Sequence, residues 1–405
     1  MGSYRGKVTV SGPWQRAARG AMLLSDAGEL RPTIFAEMSA LAARTGAINL
    51  GQGFPDEDGP VEVLEAARQA ISDGANQYPP GLGILPLREA IADHQARFYG
   101  IEVHPERVVL VTAGATEAIA ATLLALVDEG DEVVTLEPFY DSYAAMIGLA
   151  RGRHVTVPLR APDFRPDPDE FRAAVTDRTR VILLNTPHNP TGVVLDRAFL
   201  ELAVELAHTH DAILVTDEVY EHLTFGVEHV PVASLPGARE RTVTISSGGK
   251  TFSTTGWKVG WITTTPELLG PILAVKQFLT YVNAAPFQPA MAVGLRMPDA
   301  FFTEAAAVLA SKRDLLSAGL SNAGFDVARP DGSYFVIADG KELGFPDAVE
   351  LCRRLPELAG VVAIPLTAFV HPEHRPSYAS FVRFAFCKRV EVLKTASNQL
   401  TALKS

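Results

Sequence analysis

Between positions 108 and 245 the chain alternates short β-branched runs with longer stretches whose apolar residues recur every three to four positions. Segments 108–112, 132–136, 154–157, 181–185, 212–216 and 242–245 read as strands. Segments 117–127 and 196–210 read as helices, the second with Asp196 as its N-cap. These strands are apolar almost throughout, as strands buried on both faces are, so the pattern predicts a mostly parallel sheet covered by helices: an α/β fold. Segment 259–263 adds a strand whose direction the pattern leaves open. Upstream, 32–44, 60–73 and 85–98 have helical spacing, with Ile34, Phe35, Met38, Leu41 and Ala42 on one face. Beyond about Met297 a helix (301–323), strands 333–337 and 381–386 and a closing helix predict a smaller α+β domain. Residues 1–30 read as irregular. The expected organisation is an N-terminal segment (1–60) that joins the small domain, a large domain (61–296) and a small C-terminal domain (297–405).

In open α/β sheets, ligands bind outside the carboxyl ends of the strands. Five such ends carry polar residues. Gly114-Ala115-Thr116 follows the first strand and opens a helix, and Tyr140 follows the second. Asn189 follows 181–185, Asp217 and Tyr220 follow 212–216, and Lys250 follows 242–245. No lysine occurs between Lys7 and Lys250. Lys250 stands in the small-residue turn Ser246-Ser247-Gly248-Gly249-Lys250-Thr251, which leaves an amine free to react with an aldehyde cofactor, usually pyridoxal 5'-phosphate. Gly-Lys-Thr also ends a phosphate-binding P-loop, but Thr244 occupies the place of that motif's first glycine, and Thr251 to Gly256 is a poor helix start.

Composition narrows the partners. A net charge of −11 disfavours nucleic acid and anionic membrane, which reward clustered lysine and arginine. Cys352 and Cys387 are the only cysteines, so no disulfide framework is expected and a reducing compartment fits. The histidines are scattered, with no spacing that predicts a zinc site. The N-terminus lacks the apolar core of a signal peptide, Gly6 stands where a myristoylation pattern needs Ser or Thr, and no apolar run reaches membrane-spanning length. A cytoplasmic location is the default.

Further motifs extend the set: Gly51-Gln52-Gly53-Phe54-Pro55-Asp56, Asn76-Gln77-Tyr78, Thr216-Asp217-Glu218-Val219-Tyr220 and Val382-Arg383-Phe384, together with Asn189 in Asn189-Pro190-Thr191-Gly192. With the Lys250 turn running on to Trp261, these make the chain resemble the pyridoxal-phosphate-dependent aminotransferases of fold type I over about residues 30–400. It is most similar to the subgroup holding kynurenine, methionine and glutamine aminotransferases and the N-succinyldiaminopimelate aminotransferases of actinobacteria. The resemblance implies a three-layer large domain with a mostly parallel sheet, plus the smaller α+β domain.

It also implies roles. Lys250 would hold the cofactor covalently and then act as the base that moves a proton. Asp217 would pair with the pyridine nitrogen, and Tyr220 and Asn189 with the ring oxygen. Tyr140 would stack on the ring. Ala115 and Thr116 at a helix N-terminus, with Ser247 and Lys258, would hold the phosphate. Tyr78 would reach the phosphate of a neighbouring subunit, which requires a homodimer. Arg383, expensive to bury unpaired, would bind the substrate α-carboxylate with help from Gly53 and Asn189. The expected activity is ping-pong transfer of an amino group between an amino acid and a 2-oxo acid, N-succinyldiaminopimelate being the expected substrate. A kynurenine-, methionine- or glutamine-type aminotransferase and a cysteine-conjugate β-lyase on the same fold are the alternatives. No metal site is expected.

Overall fold

The computed structural model describes residues 11–25 and 27–404. The strands in chain order are β1 (Ile48–Asn49), β2 (Val109–Thr112), β3 (Glu132–Glu137), β4 (Arg153–Pro158), β5 (Thr179–Asn185), β6 (Ile213–Asp217), β7 (Thr242–Ser247), β8 (Gly260–Thr263), β9 (Asp326–Ala328), β10 (Phe335–Asp339), β11 (Val361–Val362), β12 (Ile364–Pro365) and β13 (Phe381–Ala385). Seven of them form one sheet in the order β2-β8-β7-β6-β5-β3-β4. β3 to β7 run parallel, and β8 lies antiparallel between β2 and β7, which settles its direction. β3, β6 and β7 are buried at every position, so helices cover both faces. Gly114–Leu126, Asp141–Leu149 and Pro266–Leu279 pack with one apolar cluster, and Arg197–Thr209 with another that continues into the C-terminal part.

Local chemistry explains the helix ends that the sequence shows well. Thr33 Oγ1 accepts from Ala36 N at the start of Ile34–Thr45, and Gly46 in the left-handed region closes it. Asp196 accepts from Phe199 N at 2.8 Å and caps Arg197–Thr209.

The C-terminal part folds β12-β13-β10-β9 into an antiparallel sheet. β1 pairs in parallel with β11, joining Ile48 to Val361 and Asn49 to Val362. Beyond helices that the pattern did not single out, such as Asp141–Leu149, Pro266–Leu279 and Ala348–Ala359, two features stand out. Among residues 11–30, read as irregular, Trp14–Gly20 is a helix against Asp141–Leu149; positions 1–10 lie outside the described residues. The crossing is close: a Cβ on Gly20 would lie 2.0 Å from the Ala144 carbonyl oxygen. A seven-residue, alanine-rich helix is too short to show a period, and its place is set by that contact. Second, the turn at Lys250 is itself helical over Gly248–Thr251, followed by a 3-10 turn at Thr255–Trp257.

Candidate active site

A cavity of about 380 Å³ opens at the carboxyl ends of the parallel strands. Gly53, Ala115, Thr116, Tyr140, Asn189, Asp217, Tyr220, Ser247, Lys250, Lys258 and Arg383 all line it. Tyr78 does not. It is 81% exposed, with its ring 5.5 Å from that of Tyr281.

Lys250 projects from the Gly248–Thr251 turn, where space is tight: a Cβ on Gly248 would fall 2.2 Å from Met291 Sδ. Its Nζ donates to Tyr334 Oη at 2.9 Å, and Tyr334 donates to the Gly53 carbonyl. Burial penalises the ammonium and pulls its pKa down to about 8. The amine is therefore available as a neutral nucleophile or base from about pH 8 upward.

Asp217 ends β6, fully enclosed. Tyr143 Oη donates to its Oδ2 at 2.6 Å, yet burial still raises its pKa to about 6. The carboxylate has donors but no cation in ion-pair contact among the described residues, so it would gain from a positive partner in the cavity.

Arg383 is the complementary case. On the inner strand β13 it is 2% exposed. Nη1 donates to Asn189 Oδ1 at 3.0 Å and Nη2 to the Gly51 carbonyl at 2.8 Å, while Nε is buried without a partner. Phe335 and Phe369 flank the guanidinium at 4.0 and 4.6 Å from their ring centroids. Burial lowers its pKa to about 10; Asp141 favours the charge but makes no ion pair with it. Asn189 is set by its own loop, its N–H donating to Asn185 Oδ1 at 2.7 Å, with the Thr186–Pro187 and Asn189–Pro190 bonds cis.

Helix Gly114–Leu126 presents its N-terminus to the cavity through Gly114, Ala115 and Thr116. Gly114 has φ +75°, and the space a Cβ would take lies 3.2 Å from Lys258 Nζ. Gly260 lets β8 approach this turn: a Cβ there would meet Gly114 backbone carbon at 2.6 Å. Among the described residues the one lysine ion pair is Lys312 with Glu57, so Lys258 has no carboxylate partner. Helix dipole, free N–H groups and an unpaired ammonium together favour an anion such as a phosphate.

Tyr143, Tyr334 and Asn185 were not identified from sequence. Tyr143 had a signal, since it lies one helical turn beyond Tyr140. Tyr334 had none, as its partners lie 84 and 281 positions away.

The aminotransferase class I and II family model matches residues 45–397. The chain belongs to the class I and II aminotransferases. A Mycobacterium tuberculosis protein named Probable N-succinyldiaminopimelate aminotransferase is 50% identical to this aminotransferase over 387 residues, covering 92% of this chain and 97% of that one. The methionine aminotransferase of Escherichia coli is 40% identical over 376 residues, covering 93% and 97%. The solved structure of N-succinyldiaminopimelate aminotransferase from Mycobacterium tuberculosis superposes with a TM-score of 0.91 at 48% identity, over 98% of this chain and 100% of that one. The fold is that of the type I pyridoxal-phosphate aminotransferases. No helix among the described residues is long and apolar enough to cross a membrane.

Proposed function

We propose that this aminotransferase carries pyridoxal 5'-phosphate on Lys250 and moves an amino group between N-succinyl-LL-diaminopimelate, or a close analogue, and a 2-oxo acid. One observation carries the reading: Asp217 and Arg383 are buried charges of opposite sign in one cavity with Lys250, and neither has an ion partner among the described residues. The residues fit the cofactor on chemical grounds. Lys258, Ser247, Thr116 and the N–H of Ala115 suit its phosphate, Asp217 its ring nitrogen, Tyr220 and Asn189 its ring oxygen, and Tyr140 its face. When bound, pyridoxal phosphate supplies the electron sink that makes the substrate Cα proton acidic.

The chain's own groups do the rest. Arg383 binds the substrate α-carboxylate with its two Nη groups, assisted by Gly53, and so fixes which Cα bond faces Lys250. Lys250, neutral above about pH 8 in the free protein, would take the Cα proton and return it across the nitrogen, to the carbon that the cofactor's aldehyde contributes. Tyr143 holds the Asp217 carboxylate in place, which keeps negative charge at the nitrogen end of the ring. Two identical chains build each site, with Tyr78 of one reaching the phosphate held by the other. The exposed Tyr78, Phe278 and Tyr281 support such an interface. Charge and cysteine content support a cytoplasmic location.

The substrate assignment rests on the relative at 50% identity. A competition assay tests it: N-succinyl-LL-diaminopimelate should outperform methionine and kynurenine in kcat/KM. If either wins by tenfold, about 1.4 kcal/mol of transition-state preference, the succinylated substrate is wrong and the aminotransferase chemistry stands.

A further inference from the structure

Outside the cavity, but joined to its walls, a second group of chemically capable side chains converges. His94 comes from the helix Leu85–Tyr99, and Glu221 and His222 directly follow Tyr220. One ligand atom from each lies within 4.8 Å of the others. The two Nε2 atoms face each other at 2.6 Å. His94 and Glu221 are 1% and 5% exposed, while His222 is half-buried. We propose that His94, His222 and Glu221 form a binding site for one divalent metal ion of the zinc class.

The donor set argues for this ion. Two imidazole nitrogens and one carboxylate oxygen favour zinc or cobalt over magnesium or calcium, which prefer all-oxygen shells. A tetrahedral ion at about 2.05 Å from each nitrogen holds them about 3.3 Å apart, so the rings need to separate by well under an ångström. Without a metal only one proton fits between two facing nitrogens, and the His94 Nδ1 stays buried without a partner in either tautomer. Burial keeps both rings in the neutral form that metals require, His94 down at about 3 and His222 well below the ordinary range. The same burial pushes Glu221 up to about 7, and a bound cation would displace its proton. Ser246 donates to the Glu221 carboxylate and orients it, as outer partners of metal ligands do. The nearby Arg97 is paired with Asp299 at 2.6 Å, which offsets its charge. The fourth position of a tetrahedral ion would be taken by a water reached from solvent past the half-buried His222.

The position matters to the neighbouring site. Glu221 adjoins Tyr220, and Ser246 adjoins Ser247, so an ion here would tie two cavity-lining segments to the helix Leu85–Tyr99. The inference does not depend on which amino acid the enzyme uses.

Cobalt(II) is the probe. Untagged protein loaded with pyridoxal phosphate and stripped of metal by a chelator is titrated with Co²⁺ without substrate. One ion per chain with a visible ligand-field band of tetrahedral intensity is expected, along with a rise in Tm when Zn²⁺ is added. His94→Gln and His222→Gln should each lose the band and weaken affinity by more than the about 10- to 100-fold that losing an outer partner costs. Glu221→Gln, which keeps the hydrogen-bonding shape, should weaken it too, whereas His208→Gln should not. Wild-type uptake of less than one ion per chain overturns the proposal whatever the variants do. So does a band that survives in both histidine variants.

Discussion

Lys250 and Asp217 are shifted by the same cause, burial, in opposite senses. For Lys250 the buried ammonium is penalised, so the neutral amine persists down to about pH 8 instead of the ordinary 10.5. Capture of pyridoxal phosphate by the apoprotein should therefore quicken with pH and level off above about 8, followed by stopped-flow absorbance; a midpoint near 10 would show an exposed amine. Lys250→Ala should lose transamination, and borohydride should fix the cofactor on the Lys250 peptide and not on Lys258 or Lys276. For Asp217 the folded pKa of about 6 lies above the ordinary 3.8, so the apoprotein holds its proton more tightly than the unfolded chain. Its contribution to apoprotein stability is complete below 3.8 and is lost as pH rises through 6. Asp217→Asn should remove that dependence, leaving the apoprotein at least as stable at pH 7 by denaturant titration, while turnover falls by several orders of magnitude. Near-normal turnover would mean that this carboxylate does not serve the ring nitrogen.

The close approach of β8 to the helix Gly114–Leu126 depends on two glycines. Gly260 leaves no space for a Cβ beside the Gly114 backbone, and Gly114 itself has a left-handed φ beside Lys258. Gly260→Ala should push the strand from the helix N-terminus, costing about 1–3 kcal/mol of stability as overpacking does. It should also weaken pyridoxal-phosphate binding more than it changes the KM for the amino acid, because Arg383 is held by Asn189 and Gly51 and not by this helix. An unchanged cofactor affinity would separate that N-terminus from the phosphate. The same elements show which parts of the pattern were readable. The central strands were found within one or two residues, because strands buried on both faces are continuous apolar runs. Trp14–Gly20 and the Gly248–Thr251 turn were not, because each is too short to carry a period and is held by contacts from elsewhere.

On the scale of the whole molecule, the chain is closed by β1 pairing with β11, more than 300 positions apart, which brings Gly51 to Arg383 and Gly53 to Tyr334. Tyr78, exposed and outside the cavity, belongs to the site only if the proposed second chain supplies it. Mixed dimers test the shared site. A dimer of one Tyr78→Phe chain and one Lys250→Ala chain has one site with both residues intact. Its activity per Lys250 and its cofactor affinity should exceed those of the Tyr78→Phe homodimer. Equal values, or full activity in a monomer by light scattering, would remove Tyr78 from the site.

Strand ends, the small-residue neighbourhood of Lys250 and the family motifs were set by the sequence alone, because strand alternation, local composition and motif order are local properties of the chain. The cavity, the pKa shifts and the pairing of Tyr143 with Asp217 and of Tyr334 with Lys250 were decided by tertiary structure. Burial and long-range hydrogen bonds join residues that no local pattern links. The facing histidines make the point most sharply: no zinc spacing exists along the chain, and 127 positions separate His94 from Glu221, yet folding sets their ligand atoms within 4.8 Å.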